Sequence, residues 1–464
     1  MTIKLKYNKE RFILFAILAL CIFSCLILPG MITMLLSVLA MGYMAVAEKN
    51  ALVKKNKITN SLFLVIPVFF SAFQNVYLAI GVNHQSSLSL QIMLSLHILL
   101  IMMMIILNSK LVFSKIPNVL LLLLVLLAYG LVMYVAYPAP ITSLISASRN
   151  IISCMLIYVY AYTIGEVSDE RAFYRYLNLI AWVVVLFGIY EYLGGIGIWK
   201  NLGITQLWNL KGIKTNVAGV PMNWFSSEKI GGQQLRRMVS TFADPVNLGT
   251  YLFAAFMISW YSGEKMLTLL LVGCCILTIS KGALLGFLVF AIIYVWFKDK
   301  SKIGVPLIFS ACAIVTVIFV EYSISASTGS MMAHIGGFIS SLKLLITNPA
   351  GLGIGNVGVL SGLFSSNLSN TDVIETGIGV IIAELGWIGL ICYTVFFVYL
   401  YKVPHKWNGN NIKRKILYYT ILFSFILNAL FNEVALSPNS CALYFIELAY
   451  CDSSTKGDKK GTSK

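Results

Sequence analysis

Apolar runs separated by short polar punctuation fill this chain from end to end. They cover roughly residues 11–28, 31–47, 61–80, 89–107, 117–136, 145–164, 177–197, 244–262, 266–279, 282–297, 304–321, 374–401, 416–432 and 440–450. A helix of about 20 apolar residues spans a ~30 Å hydrocarbon core. The pattern therefore predicts an all-α polytopic membrane protein of 12–14 transmembrane helices, 14 being the count that returns both termini to one side. Pro29-Gly30 predicts a tight turn between the first two runs. The run at 266–279 is short, which predicts a re-entrant or broken segment, and the last run is short as well.

Composition agrees with the pattern. Of 464 residues, 59% are hydrophobic and only 11% charged, with mean hydropathy +0.85. A soluble domain carries about 25% charged residues. This leaves no room for a large soluble domain, so residues 1–464 read as one integral-membrane domain. The nine cysteines fall almost all inside apolar runs, which predicts small core residues and not a disulfide framework. The first apolar run is long and leads into the second without a small-residue cleavage site, so no leader is expected to be removed.

Charge sorts the connections. Lys4, Lys6, Lys9 and Arg11 precede the first run; Lys49, Lys54, Lys55 and Lys57 follow the second. Lys110 and Lys115, Arg171 and Arg175, Lys298 to Lys302, and Lys402 to Lys415 continue the alternation, and the end reads KGDKKGTSK. Basic connections face the cytoplasm, so both termini and the tail at 451–464 are expected there. Two connections on the opposite side are long, about 198–243 and 322–373, and long loops in a compact protein are usually functional or disordered. Over 198–237 the first carries six basic residues against Glu228 alone. On the external side this suits an anion such as a diphosphate or an acidic sugar, because the Arg fork matches phosphate oxygens. Trp199, Trp208, Trp224 and Phe225 in that loop suit either sugar stacking or interfacial anchoring.

Four motifs carry a resemblance. The loop ends in Arg236-Arg237-Met238-Val239-Ser240-Thr241-Phe242-Ala243-Asp244-Pro245-Val246-Asn247-Leu248-Gly249. Thr278-Ile279-Ser280-Lys281-Gly282-Ala283 joins two apolar runs, Asn348-Pro349-Ala350-Gly351-Leu352-Gly353-Ile354-Gly355 sits in the second loop, and Ala383-Glu384-Leu385-Gly386-Trp387-Ile388-Gly389 lies in a later run. In this order and spacing, residues 236–389 resemble the bacterial O-antigen and capsular polysaccharide polymerases, a family grouped with the O-antigen ligases. Lys281 stands where the family has Arg, and Glu375 stands where the ligase-like members carry a His.

The resemblance implies a glycosyltransferase at the outer face of the membrane. It would transfer a glycan from an undecaprenyl-diphosphate carrier onto a sugar hydroxyl of the next lipid-linked repeat unit. Partners implied are that lipid-linked oligosaccharide, membrane lipids, a chain-length regulator and a flippase; no nucleic acid and no cofactor are expected. The sequence has no Asp-x-Asp and no His/Cys cluster with metal-ligand spacing, so no metal site is expected. Cationic side chains would then stabilise the leaving diphosphate, with Arg237 first, Lys281 second and Arg236 third. Glu375 is the expected base for the acceptor hydroxyl; Asp244 is the alternative, although Asp-Pro before a helix reads as an N-cap. Glu384, deeper along the same run, is expected to be structural and partnered. Arg149 and Glu191 are expected to pair with one another or to line the cavity, and Gly353 and Gly355, with Gly351, to let the loop bend or approach a ligand. Gly377, Gly379, Gly386 and Gly389 suit close helix packing instead. Two other readings remain: an O-antigen ligase, against which Glu375 in place of His argues, and a flippase for the same lipid-linked sugars.

Overall fold

Helices occupy nearly every apolar run for which the computed structural model describes the chain, namely residues 2–230, 233–298, 328–358, 374–407 and 411–461. The expected span at 304–321, and residues 322–327 and 359–373 of the second long connection, lie outside these. The first helices are α1 (Thr2–Ile27), α2 (Gly30–Val53) and α3 (Lys57–Ile80). Pro29 is the N-cap residue of α2, as the Pro-Gly turn predicts. Next come α4 (Ser87–Leu94), α5 (Leu96–Leu107), α6 (Ser109–Lys115), α7 (Pro117–Ala136), α8 (Ile141–Gly165) and α9 (Glu170–Gly194). Short helices α10 (Gly197–Asn201) and α11 (Ile204–Leu210) lead into an antiparallel hairpin, β1 (Phe225–Ile230) with β2 (Gln233–Arg236). Then follow α12 (Pro245–Ser262), α13 (Lys265–Leu277), α14 (Lys281–Lys298), α15 (Thr328–Thr347), α16 (Gly377–Lys402), α17 (Ile412–Phe431) and α18 (Pro438–Gly461).

The chain is an all-α polytopic membrane protein. Among the described residues eight helices are long and apolar enough to cross a membrane, or nine when α4 and α5 count as one span. The run 89–107 is not the straight helix its composition suggests, because it bends by 53° between α4 and α5. At that break Ser95 donates its hydroxyl back to Gln91 O at 2.8 Å, one of the ways a polar side chain competes with the helical ladder. The short run at 266–279 forms one 13-residue helix, α13. In the second long connection, α15 occupies residues that the charge pattern assigned to a loop.

The alternation of basic connections appears as two distinct ends of the bundle. At one end Lys115 pairs with Glu166 at 2.9 Å, Asp169 N donates to Lys57 O at 3.3 Å, and Lys413 Nζ donates to Tyr261 O at 2.8 Å. At the other end Asn356 Nδ2 donates to Tyr137 O at 2.9 Å, Arg237 reaches Thr278, and Glu433 N donates to Glu375 O at 2.7 Å.

The centre is formed by α8 and α18. Every residue from Asn150 to Gly165 and from Ser440 to Ser453 is buried. The last apolar run is therefore short because its helix is enclosed by protein, not lipid. Its acids are bonded inside: Glu447 accepts from Tyr174 OH at 2.9 Å, and Asp452 accepts from Tyr158 OH at 2.6 Å and Tyr399 OH at 3.0 Å. The helix continues to Gly461, so the segment expected as a tail begins helical and packed, with Cys451, Asp452 and Ser453 all buried.

A second break falls inside α16. Within α16, Gly386 takes φ 55° and ψ −142°, a conformation essentially closed to residues with a Cβ. The break frees backbone groups, and the Pro349–Gly355 turn satisfies them. Leu352 N donates to Ala383 O at 2.8 Å, Gly353 N to Glu384 O at 3.1 Å, and Trp387 N to Pro349 O at 3.0 Å. A Cβ on Gly386 would stand 2.1 Å from Pro349 O. Gly386 was expected to serve helix packing; it serves the break. Gly386→Ala should destabilise the protein by about 1–3 kcal/mol, read as a lower unfolding temperature in detergent. Gly273→Ala, inside α13 where an added Cβ meets nothing within 4 Å, should leave that temperature equal or slightly higher, since Ala favours the helix over Gly.

Candidate functional site

The segment from Arg236 to Gly249 is built into the bundle at several points. Asp244 caps α12, its Oδ1 accepting from Val246 N at 3.0 Å and Asn247 N at 2.8 Å, while Oδ2 accepts from Asn223 Nδ2 at 2.7 Å. The N-cap reading of Asp-Pro holds, with Pro245 as the first residue of the helix. Asn75 of α3 donates its amide to Phe242 O, and Trp224 Nε1 donates to Ala243 O at 3.0 Å.

Arg236 turns onto α9. Its guanidinium forms an ion pair with Glu191 and donates to Tyr192 O at 3.1 Å and Glu191 O at 3.0 Å. The other oxygen of Glu191 accepts from Val239 N at 3.2 Å and Ser240 N at 3.0 Å. Glu191 is thus fully buried and bonded on both oxygens. The expected partnership of Glu191 with Arg149 is corrected: Arg236 takes that place, because the loop folds back across α9.

Arg237 turns the opposite way. Its Nε donates to Thr278 O at 2.7 Å, Nη2 to Ile279 O at 3.3 Å and Nη1 to Asn223 O at 3.0 Å. Met238 N adds a bond to Leu277 O at 2.9 Å. The guanidinium therefore clasps the corner that leads into Lys281, the first residue of α14. Two motifs about 40 residues apart in the chain meet here. Backbone strain gathers at the same place: Ser240 (φ 43°), Ala243 (φ 51°) and Ile279 (φ 48°) are left-handed without being glycine. For a β-branched residue such as Ile279 that is a rare conformation, and strain of this kind clusters at functional sites.

The carboxylates lie around the end of α17. Asn428 of that helix lies against Gly282, where a Cβ would fall 2.0 Å from Asn428 Oδ1. Glu433 follows, bonding Glu375 through the backbone, and its carboxylate would stand 3.1 Å from a Cβ on Gly358. Glu375 is half-buried at the entry to α16, capped by Thr376. Glu384 is fully buried, with Oε1 accepting from Gly355 N at 2.9 Å. Gly353 and Gly355 take φ 87° and 85°, so their role in the tight turn holds. Glu433 was missed in the sequence; only its place in Asn432-Glu433, just past an apolar run, marked it. Among the described residues no group of three or more His, Cys, Asp or Glu is placed to hold a metal ion.

Of the loop aromatics, Trp199, Trp208 and Trp224 are buried and Phe225 is half-buried. Trp199 and Trp224 are fully buried and pack edge to face, 6.3 Å apart, as the core of the 198–243 segment. That segment also carries Lys211, whose Nζ donates to Asn75 Oδ1 at 2.8 Å over the Trp208 ring. Burial, and then the nearby Arg149 charge, push the Lys211 ammonium down to about 7.

Because Glu191 joins Arg236 to the backbone of Val239 and Ser240, Glu191→Gln should break more than one contact. Removing one partner of a buried ion pair costs about 3–5 kcal/mol. The expected outcome is a marked fall in unfolding temperature and in yield of folded protein, with Glu191→Asp intermediate.

Comparison with protein-family models finds none that matches the chain, and comparison with curated proteins finds none either. Function is accordingly argued from the site.

Proposed function

We propose that the protein is a polysaccharide polymerase. It transfers a glycan from a lipid diphosphate onto the next lipid-linked repeat unit, at the outer face of a bacterial cytoplasmic membrane. The observation that carries this reading is the clasp of Arg237 on Thr278 and Ile279, which sets two cationic motifs side by side at the end of the bundle away from the basic connections. Arg237 holds the corner, and together with Lys281 it stabilises the charge that develops on the departing diphosphate. Glu375, with Glu433 beside it, is the base that takes the proton of the acceptor hydroxyl. Arg236 is assigned to structure, since its guanidinium is committed to Glu191.

The flippase reading draws on one feature, the break in α16 at Gly386, because transporters bind substrates at broken helices. The two readings separate on product. Loss of a polymerase leaves single repeat units on the cell surface, whereas loss of a flippase leaves none.

The decisive measurement is glycan length made by purified protein from a defined lipid-linked repeat unit. Arg237→Ala should reduce polymerisation by about 100–1000-fold. Arg237→Lys should also be impaired, because an ammonium cannot reach three carbonyls at once. Wild-type activity in both variants would remove the reading. Orientation has its own check. Val217 is fully exposed in the 198–243 segment and Lys402 is exposed at the opposite end. In intact cells a membrane-impermeant thiol reagent should label Val217→Cys and not Lys402→Cys.

A further inference from the structure

A buried carboxylate at the basic end of the bundle plays no part in the Arg237 site. Glu48 lies near the end of α2 and is fully buried. Neither of its oxygens has a hydrogen-bond partner among the described residues. It lines a small cavity together with Asn108, Tyr160 and Thr163, walled by apolar side chains such as Leu52 and Met104. The cavity measures about 10 Å³, room for one guest the size of a water molecule. It lies where α2 and α8 meet the break between α5 and α6 at Asn108.

Buried polar groups in folded proteins are nearly always bonded, and each exception calls for an explanation. An ionisable group inside a membrane bundle is costly and marks a ligand or ion pathway. The neighbours of Glu48 have already given away their protons. The one hydroxyl proton of Tyr160 goes to Phe63 O at 2.8 Å, and that of Thr163 to Val159 O at 2.8 Å. Asn108 donates from Nδ2 to Met104 O at 3.0 Å, so its amide oxygen remains to accept. Lys115 reaches the carbonyl of Thr163 at 3.1 Å, but its charge is paired with Glu166 at 2.9 Å.

The cavity therefore gathers one negative charge and a set of oxygen lone pairs. Oxygen ligands of this kind suit a hard cation. Charge and size narrow the choice. Divalent ions of that class are commonly held by more than one carboxylate, and here a single carboxylate balances a single charge. A space no larger than a water molecule fits sodium better than the larger potassium ion.

We propose that Glu48, with the oxygens of Asn108, Tyr160 and Thr163, forms a sodium-ion site. The ion supplies the counter-charge of Glu48 and ties α2 and α8 to the α5–α6 break. Asn108 is half-buried and marks the way in. The site goes beyond the polymerase reading and does not rest on it, since it lies at the other end of the bundle from the Arg237 clasp.

The test uses purified full-length protein in detergent. Its unfolding temperature is followed in sodium, potassium and N-methylglucamine chlorides at one ionic strength, and binding of radiolabelled sodium is counted at equilibrium. The wild type should bind one sodium ion per chain. Its unfolding temperature should rise with sodium concentration, as for any ligand held by the folded state alone. Potassium should shift it less and N-methylglucamine not at all. Glu48→Gln should lose both the binding and the sodium-dependent shift. In N-methylglucamine it should be as stable as the wild type or more so, because an uncompensated buried charge is gone. Thr163→Val keeps the shape and removes one oxygen, and it should weaken sodium binding about tenfold, the size of one contact to a charged group. Glu264→Gln, which removes an exposed acid elsewhere, should bind as the wild type.

An absent sodium-specific shift, equal potency of potassium, or a shift that persists in Glu48→Gln would each overturn the site. An absent shift together with a stable Glu48→Gln protein would mark Glu48 as a neutral acid. If Glu48→Gln does not fold, the Thr163→Val titration decides, and unchanged sodium affinity there overturns the site. Glycan polymerisation is measured separately and is untouched by any of these results.

Discussion

A bilayer core offers no water to an unpaired backbone group, so irregular backbone survives there only where protein satisfies it. This constraint shapes the second half of the chain. Gly386 breaks α16, and the carbonyls of Ala383 and Glu384 are taken up by N–H groups of the Pro349–Gly355 turn. The turn is held in place by the neighbouring hairpin of helices: Tyr129 OH donates to Ala350 O at 2.6 Å and Ser143 Oγ to Gly355 O at 2.6 Å. The glycines, the broken helix and the α7–α8 corner are therefore one device. Glu384 belongs to it as the acceptor for Gly355.

The same accounting shows how the charges around the 198–243 segment are met. Glu191 is saturated: one cation and two backbone N–H groups meet its oxygens. Arg237 is likewise engaged, with three carbonyls. Both hold the loop to the bundle.

The 198–243 segment is what ties these parts together. Its own core of Trp199 and Trp224 makes it a folded cap, and its two ends of contact lie on different helices: Arg236 on α9 and Arg237 on the α13–α14 corner. Adjacent arginines point to opposite sides because the chain leaves β2 in an extended conformation, where successive side chains alternate. Lys211 is carried on the same cap and reaches Asn75 of α3.

Much of this was legible in the chain. The apolar runs placed the membrane helices, and the alternation of lysines and arginines sorted the connections onto two ends, because spanning length and flanking charge are properties of contiguous residues. Asp244-Pro245 announced its N-cap, and Gly353 and Gly355 their turn, because caps and turns are local. The contact of Arg237 with Thr278 and Ile279 joins two stretches about 40 residues apart, which no local pattern announces. Other features depend on residues far apart in sequence. That Glu191 meets Arg236 and not Arg149 depends on how the long 198–243 segment folds back. The bend at Ser95 and the break at Gly386 were invisible in runs of uniform hydropathy. The short run at 440–450 became the centre of the bundle because its neighbours surround it, and a helix enclosed by protein has no need of a full apolar span.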